Sequence, residues 1–451
     1  MEAEMRVSER IWNVQPRAGR FALLKALLKN RFVRQAFALG TGTAIGQAAV
    51  VAATPIWSRL YDPIAFGKFG LVFSFLTATT VAVSLRYELA IPVARNEDEA
   101  QDLVFLAFLC SIPVSIFAGV IFLTLTLRGL LGFGAIEPWS AILVTVSFLI
   151  TGSFSTLRYW HVRGSGFGNI SSSLIVQGLS RALAPIILSP LNLGWLGLMS
   201  GDIAGRSFGI RKLGTGVFPR LKRRAKHMKI SHLFAIARLY RQYPLVFLPS
   251  SILDSLSGAL QIPVVVAMYG LSVGGEFLLA QQIVSAPSAL ICNSLGDVFH
   301  ARLIPLTHSN PSSLPRSVLT NALRLLVVAS AVYIPVACLA PFVAAPIFGA
   351  QWLRVGEFIA ILSPSTIIAT MVSPVSRAIL MSRIPQIKLL ADIVKLIIPI
   401  VGLALSAYLP GASVTKSLLW YSGLVAISYL IYLGIVLIAV QPSNQLPSVR
   451  L

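Results

Sequence analysis

Acid is what this sequence is shortest of: 451 residues carry 16 Asp and Glu against 37 Lys and Arg, a formal net charge of +21. Charge of either sign is scarce, at 12% where soluble domains carry about 25%, whereas 56% of residues are hydrophobic and mean hydropathy is +0.79. That balance excludes an ordinary water-soluble domain. The three cysteines, Cys110, Cys292 and Cys338, each sit inside an apolar run, which leaves neither a disulfide framework nor a thiolate metal site. The five histidines fall in expected cytoplasmic loops or helix ends; the closest pair, His227 and His232, lacks zinc-ligand context. No metal or cofactor is expected. A cleavable signal peptide is not expected either, because the first long apolar run begins beyond residue 34 and is too long for an h-region. No large extramembrane domain is expected that could hold a nucleotide, which argues against an ATP-driven pump on this chain alone.

What remains is a series of apolar runs of the length that crosses about 30 Å of hydrocarbon at roughly 1.5 Å per residue. Twelve are placed, at 35–57, 66–85, 103–127, 138–157, 172–189, 191–210, 244–268, 277–298, 326–347, 358–376, 389–409 and 418–440. They are apolar throughout rather than alternating, which excludes a transmembrane barrel. The fold class expected is an all-α polytopic membrane protein of about twelve transmembrane helices.

The basic residues occupy one topological class of segment. The first 34 residues hold eight Lys or Arg, and the stretch 211–241 holds ten with no acid among them. Every second loop together with both termini holds 29 of the 37; the opposite loops hold five (Arg59, Lys68, Arg128, Arg354, Lys416) and helices hold three (Arg181, Arg206, Lys395). This is the asymmetry that insertion produces, and it puts the basic side and both termini in the cytoplasm of a cell membrane. It accounts for the charge without nucleic acid. Residues 20–34, RFALLKALLKNRFVR, interleave Leu and Phe with Lys and Arg at helical spacing, suited to an anionic leaflet or to a plain topogenic flank.

Two glycine-rich stretches mimic catalytic motifs. GSGFG at 164–168 has no preceding strand and its serine is not third, so it is no nucleophile elbow. Gly40, Gly42 and Gly46 lie inside an apolar helix with no following Lys-Ser, and small residues at this spacing form a helix-packing face. An internal repeat is also present. At an offset of 208, RLYDPIAFGKFG after the first helix aligns with AMYGLSVGGEFL after the seventh, matching Tyr61 with Tyr269, Gly67 with Gly275 and Phe69 with Phe277. Six helices per half gives the halves one orientation, and two parallel bundles around a central cavity form a transporter architecture. The domain boundaries expected are a basic N-terminal segment 1–34, a six-helix bundle 35–210, a basic cytoplasmic linker 211–243, a second bundle 244–440 and a tail 441–451.

Residues 41–100 also resemble the N-terminal signature of bacterial O-antigen and polysaccharide flippases, through the small-residue first helix, the SRLYDPIAFGKFG connector, and the RYELAI exit followed by an acidic DEA. The stretch YPLVFLPSSILDSLSGALQIPVVVAMYGLSVGGEFLLAQQIVSAPSALI is similar to the start of their second half. The resemblance implies the multidrug, oligosaccharidyl-lipid and polysaccharide exporter superfamily. It further implies a flippase, not an enzyme, that moves polyprenyl-pyrophosphate-linked oligosaccharide to the outer leaflet for polysaccharide, O-antigen or exopolysaccharide biosynthesis. The bacterial inner membrane, membrane lipid, and polymerase and chain-length proteins of the same pathway are the surroundings and partners it implies. An ion-coupled drug exporter of the same superfamily and a membrane polysaccharide polymerase are the alternatives.

A flippase must pass a sugar-pyrophosphate headgroup through a wet cavity, so intramembrane charges are the site candidates. Arg181 and Asp202 lie at matching depth on consecutive helices and suit an ion pair, either a structural lock or a cationic pyrophosphate site at Arg181. Arg206, one turn from Asp202, is a further substrate candidate or a snorkelling side chain. Lys395 has Asp392 three residues before it on the same face and is the third cavity candidate. Asp254 has no sequence-local partner and suits a coupling ion or a protonated core acid. Arg86 and Glu88 close the second helix, as a cytoplasmic gate or as a cap. Helical prolines (Pro113, Pro185, Pro249, Pro263, Pro287, Pro335, Pro364, Pro399) permit bends.

Overall fold

The computed structural model describes residues 31–441 apart from 165, 226–229, 310, 382–384, 407, 409–410 and 412. The amphipathic segment up to residue 30, Ser165 of the GSGFG run and His227 lie outside the described residues. The described residues form helices joined by short turns, with no strand among them. In order, it runs through α1 (Arg31–Leu60), α2 (Pro63–Thr79), α3 (Glu97–Arg128), α4 (Ser140–Arg163), α5 (Phe167–Leu188) and α6 (Trp195–Gly214), then the short α7 (Val217–Ala225) and α8 (Ile230–Leu239). It continues through α9 (Leu248–Ala259), α10 (Gln261–Ser309), α11 (Leu314–Phe348), α12 (Leu353–Val372), α13 (Pro385–Ser406) and α14 (Val414–Ala439).

Nine stretches among the described residues are long and apolar enough to cross a bilayer, so the chain is a multi-pass membrane protein. One of them, Tyr243–Cys292, is broken at Gly270, whose φ of 87° takes the backbone out of the helix. Counting its two arms separately, and adding the less apolar Arg31–Leu60 and Trp195–Gly214, is what the expected twelve requires.

Local chemistry sets the ends. α2 starts where Asp62 accepts a hydrogen bond from the Ala65 amide at 2.6 Å with Pro63 in the first turn. α3 starts at Asn96, which accepts from the Glu99 amide, carries Glu97, Asp98 and Glu99 against the positive helix end, and stops at Gly129 in the left-handed region. The second helix ends earlier than the apolar run predicts. α2 tightens into 3₁₀ turns at Thr80, and Leu85 and Arg86 both take left-handed backbone (φ 51° and 65°), so the chain turns while still apolar.

Packing follows the small residues. A Cβ on Gly178 would lie 2.2 Å from the Cα of Gly46, and one on Gly42 would strike Ser171, so α1 and α5 touch backbone to backbone. Gly40 meets nothing. On α6, Gly201, Gly205 and Gly209 face Arg181, Gln177 and Ser173 of α5, a descending register that makes the two helices an antiparallel hairpin.

The apolar core is shared unevenly. At the end bearing the helix connectors, one cluster joins both halves, with Trp57, Phe66, Phe75 and Trp195 packed together with Val265, Phe277, Tyr333 and Trp352. Toward the basic end it gives way to two separate clusters, one running from Tyr87 to Tyr243 and one from Phe299 to Val440. The expected linker is largely helical and docked: Val217, Leu221, Leu233 and Ile236 join Leu103 and Val104 of α3 in the first of these.

Candidate functional site

In the first half, Gly201 lets α6 approach the Arg181 carbonyl, where an added Cβ would come within 2.9 Å, and Asp202 is thereby set beside Arg181. Two guanidiniums share its buried carboxylate: Arg206 Nε donates to Oδ2 at 2.8 Å, and Arg181 Nε lies 3.5 Å from Oδ1. The Arg181 guanidinium also stands 5.6 Å from the ring centroid of Phe73 on α2. The cluster therefore carries one positive charge in excess, with about a quarter of each arginine side chain exposed. Arg206 does not snorkel away; its Nη2 also donates to Oδ1 at 3.4 Å.

In the second half, α9, α12, α13 and α14 enclose a polar cavity of about 340 Å³. Lys395 reaches across to Asp254 at 2.5 Å, and Lys388 donates to Asp392 at 2.6 Å and to Ser250 at 3.1 Å. The expected intrahelical pairing of Asp392 with Lys395 is thus replaced. Lys388, one turn before Asp392, points to it along the helix, which leaves Lys395 free to partner Asp254. Asp254 has a partner after all, one 141 positions away, and remains 57% exposed. Two lysines and two aspartates balance, so this cavity is polar and neutral overall.

At the basic end, Arg86 Nη1 lies 3.5 Å from Glu88 Oε1, and Ser84 Oγ donates to Glu88 Oε2. Glu88 is buried, and burial pushes its carboxyl above the usual range against the opposing pull of Ser84 and Arg86. Arg163 on α4 donates to the carbonyl of Ala94 at 2.6 Å and clamps the same turn. Sequence reasoning missed a neighbouring network. Arg224 of α7 forks onto Asp102 with both bonds at 2.9 Å, and His232 of α8 lies 3.0 Å from the same carboxylate. The one buried acid on the first turns of α3, opposite a wholly basic segment, was the available signal.

At the connector end the halves are latched. Trp352 Nε1 donates to the Ser58 carbonyl at 2.6 Å, Gln351 Nε2 to the same carbonyl at 2.7 Å, and Arg59 to the Pro346 carbonyl at 3.1 Å. The repeat supplies the closest contact. A Cβ on Gly67 would lie 2.1 Å from the Leu271 carbonyl oxygen, and one on Gly275 would lie 1.9 Å from that of Pro63. Pro63 and Leu271 are themselves 208 apart, so the two contacts are exchanged by the offset that relates the halves, which is the signature of a twofold relation.

No protein-family model and no curated protein matches the chain. Solved structures do. The fold is similar to that of the lipid II flippase MurJ in an inward closed conformation, with a TM-score of 0.62 at 12% identity over 90% of this chain and 87% of that one. It is also similar to a multidrug resistance MATE family transporter of the MOP superfamily in its inward-facing conformation, with a TM-score of 0.55 at 12% identity over 89% and 94%. A MATE transporter in complex with MaL6 gives 0.53 at 13% identity over 90% and 96%. The chain shares the fold of these transporters and flippases along nearly its whole length.

Proposed function

We propose that the chain is a flippase that moves polyprenyl-pyrophosphate-linked oligosaccharide from the cytoplasmic to the outer leaflet, for assembly of a surface polysaccharide. The observation that carries this is the pair of guanidiniums on one carboxylate. Arg181 and Arg206 hold a positive charge beyond what Asp202 neutralises, half-buried where two bidentate donors can meet a pyrophosphate. The prenyl tail stays in lipid while the headgroup enters. The basic end is the cytoplasmic side, with both termini there and the inner membrane as the site, and the connector end is the outer side. Residues 35–210 then rock against 244–440, and the shared core at the connector end with divided cores at the basic end corresponds to a form open inward. Lys395 and Lys388 are held by Asp254 and Asp392 in a charge-balanced second station, whose ammonium groups an anion reaches only by displacing the carboxylates. The role is transport, not catalysis; polymerase and chain-length proteins are the partners proposed.

A drug exporter is favoured by one observation. Asp254 presents a carboxylate that is 57% exposed, a feature an organic cation would use. The two readings separate in complementation of a flippase-null strain with membrane protein level measured. Arg181→Ala abolishes export of the lipid-linked sugar, Arg181→Lys keeps part of it, and neither changes drug resistance. If Arg181 only neutralises Asp202, Arg181→Ala leaves Arg206 on that carboxylate at 2.8 Å and keeps export, whereas Asp202→Ala leaves two guanidiniums without their partner and loses it. Export retained in Arg181→Ala would eliminate Arg181 as a substrate ligand.

A further inference from the structure

At the latched outer end the halves carry opposite charges at matching positions. Along the 208-residue offset Lys68 of α2 corresponds to Glu276 of α10, each one residue past the glycine that admits the other half's backbone. Their surroundings differ. Lys68 donates to Glu137 at 2.5 Å, Glu137 also accepts from Trp195 Nε1 at 3.3 Å, and both charged side chains keep contact with solvent. Glu276 is 7% exposed, and its Oε2 is buried with no hydrogen-bond partner.

The charged and titratable groups on the packed elements are committed elsewhere. On α1, Arg59 serves the Pro346 carbonyl; on α2, Asp62 caps its helix and Lys68 holds Glu137; Tyr61 donates to the Pro185 carbonyl. On α10, Tyr269 is hydrogen-bonded to Ser417, and on α12, Glu357 accepts from Thr415. The outer turns of α11 carry no titratable group. Arg354, in the first turn of α12, acts on the Glu276 carboxylate electrostatically and forms no ion pair with it among the described residues. A carboxylate held this way keeps itself neutral by binding a proton. A metal cation would demand several oxygen ligands, whereas Oε2 has none of the polar contacts such a shell would need.

The geometry assigns Glu276 as a proton-binding site that ties closure of the outer end to pH: the carboxyl holds its proton while α2 and α10 are pressed together, and yields it outward when they part and water enters. This rests on the alternating-access reading above and requires nothing of the substrate. Asp254, the group expected to couple an ion, lacks the same need, being exposed and paired with Lys395.

The test is the distance between outer loops. Leu130→Cys and Tyr408→Cys, both at exposed positions of opposite halves, are spin-labelled in a full-length chain whose Cys110, Cys292 and Cys338 are replaced by alanine. Pulsed electron paramagnetic resonance is recorded in lipid nanodiscs across pH. The closed form binds the proton more tightly, so low pH favours closure. A longer-distance population grows as pH rises, by up to tenfold per pH unit relative to the closed one where a single proton is released. Glu276→Gln shows the short distance alone at every pH. Arg354→Gln, at an exposed position, removes the cation that favours ionised Glu276 and moves the transition to higher pH. A wild-type distance that ignores pH, a Glu276→Gln variant that follows the wild-type curve, or an Arg354→Gln transition that does not move upward each overturns the assignment. If Glu276→Gln fails to insert, the wild-type and Arg354→Gln curves still decide. A chain that shows the response yet exports no lipid-linked sugar loses the flippase reading and keeps this site; export without any pH response loses the site alone.

Discussion

Glu88 shows how one buried acid makes a turn depend on pH. It lies just after two residues in left-handed backbone, the residue is 3% exposed, and Ser84 and Arg86 only partly offset its loss of water. Because burial raises its folded-state value above the unfolded one, the native chain holds the proton more tightly. The stabilisation is complete below the unfolded value and is lost as pH rises through the folded one. Glu88→Gln keeps an acceptor for Ser84 and has no charge to bury. Its thermal midpoint in detergent should match wild type in acid and exceed it at neutral and alkaline pH; a midpoint that falls in parallel with wild type would show that the carboxylate is not the cause. Sequence made some of these residues legible and not others. Arg181, Asp202 and Arg206 were found by depth alone, since a short connector fixes how far each lies from the membrane surface. The Lys395 partner was out of reach, because helical spacing names only neighbours three or four apart while Asp254 arrives from another helix. Glu276 escaped because it sits at the boundary of its apolar run, where an acid reads as exposed.

The expected helix ends followed the apolar runs, at 66, 103 and 127, whereas chemical signals set the observed ones: Asp62-Pro63 and Asn96 start α2 and α3 before those runs begin, and Gly129 stops α3 just after. Apolar sequence continues through the 3₁₀ turns after Thr79, so the predicted second helix overran the end of α2 and stopped at residue 85, where Leu85 and Arg86 turn the chain. Helix pairing was legible only in part: Gly42 and Gly46 were read as a packing face, but their partner α5 was not. The α5–α6 hairpin gives the sharper test. A side chain at Gly205 meets the backbone of Gln177 at 2.8 Å, whereas Gly423 and Gly434 on α14 have nothing within 4 Å. Overpacking of a tight contact costs about 1–3 kcal/mol. Gly205→Leu should therefore lower the thermal midpoint by several degrees and spread Arg181 from Asp202, while Gly434→Leu should leave both unchanged. Equal effects at the two positions would mean that close backbone approach is not what holds α5 to α6.

At the scale of the molecule, the two ends are built differently, and two measurements distinguish them. Lys222 of α7 lies on the basic docked segment and Ala135 at the connector end, both exposed. In intact cells Ala135→Cys should react with an impermeant maleimide and Lys222→Cys should not; the reverse pattern would invert the proposed orientation. The connector end is closed by Gly67 and Gly275, whose missing side chains would occupy the place of backbone oxygens in the other half. Backbone cannot rotate aside as a side chain can. Gly67→Val and Gly275→Val must each part the halves there, and because the two contacts are related by the same offset, either variant should produce the same displacement. Gly70→Ala is the control, since its new Cβ meets only side-chain carbons of Ile262 and Leu278 at 3.2 Å, which can shift by the few tenths of an ångström needed. The buried Trp352 indole, hydrogen-bonded to the Ser58 carbonyl, reports the outcome by fluorescence against a Trp352→Phe blank. Its exposure to aqueous quencher should rise in both valine variants and stay at the wild-type level in Gly70→Ala. Quenching that rises in one valine variant alone would show that the halves do not separate about a twofold seam.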